Sequence, residues 1–420
     1  MQSATRSIPI TTGRDSARGA RWFRRLAHAR LEDIRHGRLR IRDSLGIEEY
    51  GNPGAPAVEI VVSDLSFYRD LCFRGSLGAA TGFMDGKWHC RELTGAFRLF
   101  LNNQEETDGI DHGLARLSAR QESLRHWFRR NTRTGSRRNI RGHYDLGNDL
   151  FELFLDDTMT YSAGIYPRED STLEEASVNK LDRICQKLGL GPEDHVLEIG
   201  TGWGSFAIHA AGHYGCRVTT TTISREQHRV ARRRVREQGL DGRIDLLTQD
   251  YRDLAGRYDK LVSIEMIEAV GHENLGGYFD RCSRLLKDDG LMLIQAISMP
   301  DRRYPQYLRS RDFIQRYVFP GSCCPALGAM LDAVKNATDM KLVHLEDIAP
   351  HYARTLRDWR ENFDRRETEV RALGYDDRFI RMWRYYLSYC EAGFAERYLS
   401  NYQLVFARPR NRLEHVHRVD

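Results

Sequence analysis

The chain has 420 residues, of which 41% are hydrophobic and 29% are charged, and its formal net charge is +5. This length exceeds the size at which a single core usually divides, so we expect two domains. No run approaches eighteen apolar residues and the N-terminus lacks the apolar core of a secretory signal, so we expect a cytoplasmic protein without a membrane span. The eight cysteines form no C-x-x-C pair, which favours reduced thiols and predicts no metal site.

Residues 1–20 are polar and are predicted to form a flexible tail. Residues 21–110 are predicted to form a small mixed α+β domain, because helical and strand periodicities alternate along them. The predicted helices are Trp22–His36, Ser66–Phe73 and Thr94–Asn102, and the predicted strands are Arg38–Arg42 and Val58–Val62. Between the last two helices, Gly75–Ala80 and Phe83–Trp88 combine glycines with aromatic residues. This segment is read either as a lipid-binding surface or as a packed turn.

Residues 111–141 are strongly basic and are predicted to link the two domains. Nine arginines, one acidic residue and the pair Trp127-Phe128 lie between Ala115 and Arg141. Guanidinium groups pair with phosphates and large aromatics suit the acyl boundary, so an anionic membrane surface fits this composition. A nucleic acid fits it too, and a solvated linker is equally compatible with such a charge run.

The chain is organised around DHVLEIGTGWG, residues 194–204. An apolar run leads into glycines and then into a helix-forming segment, which predicts a strand, a tight turn and a helix. Glycines allow positive φ and leave room for a polar ligand at the helix start, so we expect a nucleotide-like cofactor. The alternative is a glycine turn without a ligand. The G-x-G-x-G spacing, with Glu198 before it, resembles the first motif of S-adenosylmethionine-dependent methyltransferases rather than a dinucleotide site.

Eight motifs in one order extend this resemblance to a family. HYDLGNDLF, MTYS, VLEIGTGWG, TTISREQ, SIEMIEAVGHE, SRDFIQRYVFPG, HYARTLRDWRENF and YLSYCEAGF cover about residues 140–410. Together they resemble the cyclopropane-fatty-acyl-phospholipid synthases and the mycolic-acid methyltransferases. The resemblance implies that residues 142–410 form an α/β, Rossmann-like class I methyltransferase sheet with helical insertions, followed by a tail at 411–420. It also implies that residues 21–110 are the lipid-associated accessory domain.

The predicted cofactor site lies at the ends of three successive strands, Val196–Ile199, Arg217–Thr222 and Ile244–Thr248. Nucleotide-binding folds usually place an acidic residue at the tip of the second strand, but this chain has Thr222, Ile223 and Ser224 there. The resemblance implies that other groups bind the cofactor. They are Tyr161, Ser162, Glu198, Gly200, Thr201, Gly202, Trp203, Gly204, Thr222, Ser224, Gln227, Asp250 and Tyr251. For Asp250, a helix cap is the structural alternative.

The predicted catalytic residues follow two further strands, Leu261–Ile264 and Gly290–Ile297, and reach into the C-terminal helices. Glu265 and Glu268 are two carboxylates three residues apart beside the cofactor crevice. The resemblance assigns catalysis to Glu268, Tyr352, Gln295, Ile297, Ala163 and Cys390. In the family a bicarbonate is thought to act as base, held by a glutamate, a histidine, a tyrosine and two backbone amides. Here Gln295 replaces the histidine and Ala163 replaces a cysteine, so bicarbonate is an open expectation.

The resemblance implies methyl transfer to the double bond of an unsaturated phospholipid acyl chain, closed to a cyclopropane by loss of a proton. A weakened base site leaves a methylene- or methyl-branched product as the alternative. The sequence lacks the catalytic signatures of nucleic-acid methyltransferases, which argues against that class. A non-enzymatic lipid-binding protein would not need the intact glycine turn. We therefore expect a peripheral membrane enzyme acting on phospholipid acyl chains, without a nucleic-acid partner. The oligomeric state, including a homodimer, stays open.

Overall fold

The computed structural model describes residues 16–103 and 147–412, and these residues divide into two compact units. The first unit contains residues 16–103 and also Tyr375–Glu396, and the second contains residues 147–374 and 397–412. The predicted basic linker at 111–141 lies outside the described residues. The sequence-based division placed all of residues 142–410 in one domain, whereas the structure assigns Tyr375–Glu396 to the N-terminal unit.

The first unit combines a four-stranded sheet with helices. Its elements are α1 (Ser16–His28), β1 (Arg38–Asp43), β2 (Gly46–Gly51), β3 (Ala57–Val62), α2 (Ser66–Met84), β4 (Trp88–Cys90) and α3 (Leu93–Asn102), to which residues 377–395 contribute a late helix, named below. The strand order is β2-β1-β3-β4, with β1 and β3 parallel and the outer pairs antiparallel. The predicted strands at 38–42 and 58–62 and the helix at 94–102 are confirmed. The first helix ends at His28, eight residues earlier than predicted.

The segment predicted as a turn between two helices is itself helical. α2 continues to Met84 across a kink at Gly75, where φ is +52°. A Cβ at Gly78 would lie 2.1 Å from the carbonyl oxygen of Asp70, so only glycine lets the second half of the helix approach the first so closely. Phe83 and Trp88 are 6% and 4% exposed. Their rings are therefore packed inside the unit, and the lipid-binding interpretation of this segment is not supported.

The second unit is built on a seven-stranded sheet with helices on both faces. Its elements are α4 (Asn148–Glu152), α5 (Leu173–Leu188), β5 (His195–Ile199), α6 (Ser205–His213), β6 (Arg217–Thr221), α7 (Arg225–Glu237), β7 (Ile244–Leu247), β8 (Tyr258–Ile264), α8 (Leu275–Leu285), β9 (Leu286–Ser298), α9 (Tyr304–Tyr307), α10 (Leu327–Ala337), β10 (Lys341–Asp347), α11 (Ala349–Arg365), α12 (Glu367–Ala372) and β11 (Ser400–Ala407). The helix of the first unit between α12 and β11 is α13 (Asp377–Ala395). All five strands predicted for the methyltransferase sheet are confirmed.

The strand order of this sheet locates the ligand crevice. It runs β10-β11-β9-β8-β5-β6-β7, with β5 to β9 parallel and with β10 and β11 forming antiparallel pairs. The order reverses at β5, whose neighbours are β6 and β8. In open α/β sheets, ligands bind beyond the carboxyl ends of the strands at such a reversal. Two core clusters pack the flanking helices against the sheet, with Phe279 of α8 in one and Phe206 of α6 in the other.

Helix α5 brings two lysines into this core. It begins with a capping box, in which Thr172 and Glu175 bond each other's backbone N–H, and it ends at Gly189 in the left-handed conformation. Lys180 and Lys187 are only 1% and 2% exposed. Burying an ammonium group requires polar partners, so the surroundings of these lysines indicate a functional region.

α13 completes the hydrophobic interior of the first unit. The ring of Tyr385 lies 4.8 Å from that of Phe97 on α3 and 5.6 Å from that of Phe83 on α2. The Thr94 hydroxyl donates to the Glu391 carboxylate at 3.0 Å.

No helix among residues 16–103 and 147–412 is long and apolar enough to cross a membrane. All eight cysteines lie in these ranges and are free thiols.

Candidate active site

The turn after β5 forms an open cradle. Gly200, Gly202 and Gly204 have φ values of +107°, +53° and +91°. A Cβ added to Gly202 would meet no atom within 4 Å, whereas one at Gly200 would meet Met266 at 3.3 Å. The backbone at Gly202 therefore faces open space at the start of α6. This arrangement fits a polar cofactor that approaches the main chain, as the sequence predicted.

A buried acid and a buried amine lie beneath the cradle. The Thr220 hydroxyl donates to the Glu198 carboxylate at 2.6 Å, and burial raises the pKa of Glu198 to about 8. The Lys180 ammonium donates to the Ser162 hydroxyl at 2.9 Å, and burial lowers its pKa to about 8. Thr201 and Thr220 share a hydrogen bond of 2.7 Å between their hydroxyls. The predicted residues Glu198, Thr201 and Ser162 thus belong to buried polar contacts.

The polar residues after β6 form one local network. The Thr222 hydroxyl donates to the Gln227 side-chain carbonyl at 2.9 Å and accepts from the Ser224 N–H at 3.1 Å. Ser224 caps α7 by accepting from the Gln227 N–H at 3.3 Å. The structure therefore brings these three predicted cofactor residues together.

Asp250, after β7, has the geometry of a cap. Its carboxylate accepts from the Arg252 N–H at 3.1 Å and pairs with the Arg252 guanidinium at 2.6 and 2.8 Å. Asp250 therefore acts as a helix cap, which was the alternative to a cofactor-binding role. The ring of Tyr251 packs edge-on against Tyr278, with 5.4 Å between centroids.

Two predicted cofactor residues belong to an aromatic cluster. Trp203 is 2% exposed, its ring lies 5.0 Å from that of Phe151, and its indole N–H donates to Asn148 at 2.8 Å. The Tyr161 ring lies 5.1 Å from those of Phe151 and Trp359. These contacts give Trp203 and Tyr161 a packing role that sequence reasoning did not anticipate.

A carboxylate that receives four hydrogen bonds lies beyond the end of β8. Oε1 of Glu265 accepts from the Ala163 N–H at 3.0 Å, from Gln295 Nε2 at 2.8 Å and from Asn401 Nδ2 at 2.7 Å. Oε2 accepts from the Tyr352 hydroxyl at 2.8 Å. We call Glu265 and these four donors the carboxylate centre. Three predicted catalytic residues, Ala163, Gln295 and Tyr352, thus meet at Glu265, the member of the predicted carboxylate pair to which the family resemblance assigned no catalytic role.

Glu268 occupies a separate buried position. Its Oε1 accepts from the Ile297 N–H at 2.6 Å, and the residue is 8% exposed. Its other oxygen is buried without a hydrogen-bond partner in the described part of the chain. Burial, together with the negative charge of Glu265, raises the pKa of Glu268 to about 8. Glu268 is therefore mainly a neutral carboxylic acid at pH 7, and the structure pairs it with Ile297 rather than with Gln295 or Tyr352.

A chain of amides fixes the orientation of Gln295. The Lys187 ammonium, which can only donate, contacts Oε1 of Gln403 at 2.6 Å. Nε2 of Gln403 consequently faces Oε1 of Gln295 at 2.9 Å, and Nε2 of Gln295 faces Glu265. Because each amide has one donor end and one acceptor end, the lysine determines that Gln295 donates to the carboxylate centre.

Comparison with known proteins identifies the family. Residues 131–404 match the model of the mycolic acid cyclopropane synthetase family. The chain belongs to this family. The predicted resemblance, the fold class and the enzyme class, an S-adenosylmethionine-dependent methyltransferase, are confirmed by this membership and by the similar proteins.

Three similar proteins show the breadth of this family. The chain is 39% identical to a tuberculostearic acid methyltransferase of Mycobacterium tuberculosis, covering 85% of the chain and 84% of that protein. It is 36% identical to the cyclopropane-fatty-acyl-phospholipid synthase of Escherichia coli, covering 85% and 89%. A solved mycolic acid cyclopropane synthase complexed with SAH and CTAB superposes with a TM-score of 0.61 at 29% identity, covering 64% of this chain and 98% of that one.

One predicted catalytic residue belongs to a different structural unit from the other five. Cys390 is on α13 and so belongs to the first unit, while the other five predicted catalytic residues belong to the second. It is half-buried on a helix that packs against α3. The contacts that gather Ala163, Gln295 and Tyr352 do not include it.

The family resemblance also left out residues that the structure brings into the site. Lys180 lies on the apolar stripe of α5 with Ala176, Ile184 and Leu188, at a spacing of four residues. A charged residue on such a stripe is a sequence signal for a buried functional group. Glu265 had a signal too, because it directly follows a buried parallel strand. Gln403 and Asn401 lie on β11, and only the pairing of β11 with β9 brings them near the site.

Proposed function

We propose that the chain alkylates the double bond of an unsaturated fatty acyl chain in a phospholipid and converts it to a cyclopropane ring. The observation that carries this proposal is a centre of proton-accepting chemistry beside the glycine cradle, in a member of a lipid-alkylating family. An isolated alkene is a weak nucleophile, and its methylated cation must then lose a proton. The reaction therefore needs a base in a site that excludes water, whether the product is a cyclopropane or a methylene-branched chain.

The residues around the cradle fit S-adenosylmethionine. Gly202 leaves open space at the start of α6, and Glu198, Thr222, Ser224 and Gln227 offer polar groups at the ends of two strands. When bound, the cofactor supplies an electrophilic sulfonium methyl group. A relative in this family has been crystallised with SAH, which supports the same role for this cradle.

Trp359, Tyr352 and Glu268 surround the carboxylate that we propose takes part in proton transfer. Trp359 is fully buried, and its ring lies 5.1 Å from Tyr161 and 6.0 Å from Tyr352. Trp359 thus places an apolar ring against Tyr352, which donates to the carboxylate centre. Tyr352 donates to the centre and thereby holds the carboxylate in place. Glu268, mainly neutral at pH 7, adds no second full negative charge beside it.

A methyl- or methylene-branched product is the second candidate. One relative of this chain is a tuberculostearic acid methyltransferase, and it is 39% identical over most of both proteins. Gln295 stands where the family resemblance implies a histidine. Ring closure and methylene formation share the methyl transfer and the loss of a proton from the new methyl group. Methylene formation also requires a hydride shift that first moves the cation onto the methylated carbon, and a saturated methyl branch requires a later reduction by a separate hydride donor.

The deciding experiment is lipid mass spectrometry from a host that expresses the chain and is fed trideuteromethyl methionine. Transfer followed by proton loss from the new methyl group adds one carbon and retains two deuterium atoms. Proton NMR of lipids from cells fed unlabelled methionine then separates the ring, through its upfield ring signals, from a methylene branch, through the signals of its terminal =CH₂ group. Lipids without any added carbon would refute the proposed function, and =CH₂ signals without ring signals would replace the cyclopropane with the branched product.

We also propose that the enzyme meets its substrate at an anionic membrane surface. Within the described residues, α7 exposes five arginines: Arg225, Arg229, Arg232, Arg233 and Arg236. Guanidinium groups pair well with lipid phosphates, and salt weakens such contacts. Flotation with anionic vesicles at low salt should carry the protein upward. Equal flotation with neutral vesicles, at low and high salt alike, would refute the electrostatic contact.

A further inference from the structure

The four hydrogen bonds to Glu265 form an anion site whose anion comes from the chain itself. Ala163, Gln295 and Tyr352 correspond to groups that the family resemblance assigns to a bound bicarbonate. Here the same backbone N–H, side-chain amide and hydroxyl donate to a carboxylate at 3.0, 2.8 and 2.8 Å, and Asn401 adds a fourth bond. A carboxylate and a bicarbonate present the same planar pair of anionic oxygens.

Of the other two groups assigned to bicarbonate, the Ile297 N–H is also engaged, because it donates to Oε1 of Glu268. Oε2 of Glu268 has no hydrogen-bond partner in the described part of the chain. Four of the five groups assigned to bicarbonate are therefore already bonded to carboxyl oxygens of the chain itself. We infer that Glu265 is the catalytic base of this enzyme and takes the place of bicarbonate, so that turnover requires no dissolved anion. This inference rests on the proposed function for the reaction, although the occupancy of the anion site can be measured without it.

The backbone at Glu265 supports this assignment. Its φ is +47°, and Glu265 is one of three non-glycine residues with positive φ in the described ranges. Such a conformation is unfavourable for a residue with a Cβ, and it persists where the surroundings hold it. The four donors supply that restraint. Strain at a residue in a ligand crevice points to a functional requirement for this side chain at this place.

The hydrogen-bond geometry also indicates which oxygen accepts the proton. Oε1 of Glu265 receives three donors, which leaves it little further accepting capacity. Oε2 receives only the Tyr352 hydroxyl in the described part of the chain. Two lone pairs are available on a carboxylate oxygen, so Oε2 retains one for the substrate.

The reaction balances with Glu265 as the only added base. The alkene π electrons form the new carbon–carbon bond, and the sulfur keeps the electron pair of the broken carbon–sulfur bond. A proton then passes from the new methyl group to Oε2 of Glu265, and the released electron pair closes the ring on the cationic carbon. The neutral Glu265 next gives its proton to solvent. Gln295 cannot accept a proton, so in this step it only holds the carboxylate.

Two substitutions at Glu265 separate loss of the base from opening of the anion site. Glu265→Gly removes the carboxylate, relieves the positive φ and leaves the donors available to an added anion. Glu265→Gln keeps the volume filled but cannot accept a proton. We expect both variants to lose about 10²-fold or more in turnover, the usual scale for a general base. Millimolar bicarbonate should restore Glu265→Gly at least tenfold and should leave Glu265→Gln unchanged.

The anion site is also measured without turnover. In ¹³C NMR, labelled bicarbonate should show binding to Glu265→Gly but not to the wild-type protein or to Glu265→Gln. Calorimetry with S-adenosylmethionine should give similar affinities for all three proteins, which shows that each is folded. Glu193→Gln, at an exposed position in the loop before β5, is the matched control and should retain wild-type turnover.

Each outcome decides the inference. A wild-type rate that falls when carbon dioxide and bicarbonate are removed from the buffer would overturn it, as would bicarbonate binding to the wild-type protein. Wild-type turnover in Glu265→Gln would overturn it as well. If none of the proteins alkylates lipid, the proposed function fails, and the bicarbonate titration alone still decides whether Glu265 occupies the anion site.

Discussion

The buried acid Glu268 makes stability depend on pH in a way that one substitution can isolate. Burial, assisted by the charge of Glu265, raises its pKa from 4.5 to about 8 in the folded chain. The folded state therefore binds this proton more tightly than the unfolded state does. The resulting stabilisation is fully present below pH 4.5 and is lost as the pH rises towards 8.

The magnitude follows from the two pKa values. Between them, ionisation in the unfolded chain lowers the free energy of unfolding by about 1.4 kcal/mol per pH unit. Glu268→Gln carries a neutral amide at every pH and keeps an acceptor for the Ile297 N–H. The free energy of unfolding of the variant, minus that of the wild type, should therefore rise by about 3 to 4 kcal/mol between pH 5 and pH 8.

Urea unfolding of both proteins, followed by tryptophan fluorescence at pH 5, 6, 7 and 8, measures this difference. Other titrating groups are common to both proteins and largely cancel. In the Glu265→Gln background the rise should end at a lower pH, because the neighbouring charge that helps to raise the pKa of Glu268 is gone. A difference that stays constant from pH 5 to pH 8 would show that Glu268 is ionised in the folded protein, and the reasoning would fail.

Three further predictions test the site. Gly202→Val should abolish S-adenosylmethionine binding in calorimetry. Gly239→Val, with a similar φ of +65° and equally open surroundings, should bind normally. Equal binding by both variants would refute the role of the glycine cradle in cofactor binding. Tyr352→Phe should lower turnover on the order of 10²-fold with unchanged cofactor affinity, and a parallel loss of affinity would contradict its place at the carboxylate centre. Gln403→Leu frees the amide of Gln295 to rotate and should destabilise the fold by about 1 to 3 kcal/mol in urea unfolding, and it should reduce the turnover number more than it changes KM; an unchanged turnover number would refute the orienting role.

The sequence was sufficient to predict the sheet and the cradle because both depend on local patterns. Buried strands followed by glycines, such as the segment ending at Gly204, carry their periodicity and turn chemistry in consecutive residues. The same local reading failed at Gly75–Ala80. A glycine-rich segment looks like a turn, and only the close approach of Gly78 to Asp70 shows that it is a kinked helix.

The carboxylate centre could be predicted only in part. Family motifs named Tyr352, Gln295 and Ala163, and these three residues do meet. They meet at Glu265 rather than at Glu268, because the positive φ at Glu265 determines where its side chain lies, and a dihedral angle of this kind is not visible in residue types. Asn401 joins the centre through pairing between distant strands, which a single sequence does not reveal.

The first unit is discontinuous in the chain, and this affects the order in which the protein is assembled during synthesis. α1 to α3 leave the ribosome early, yet the helix that carries Tyr385 emerges only after about 270 further residues have been translated, most of the second unit among them. Until then, the apolar faces of Phe83 and Phe97 lack their partner and are exposed to aggregation or to chaperones. The N-terminal unit is therefore the first to be made, yet it completes its core only when α13 is translated, shortly before β11 completes the sheet of the second unit.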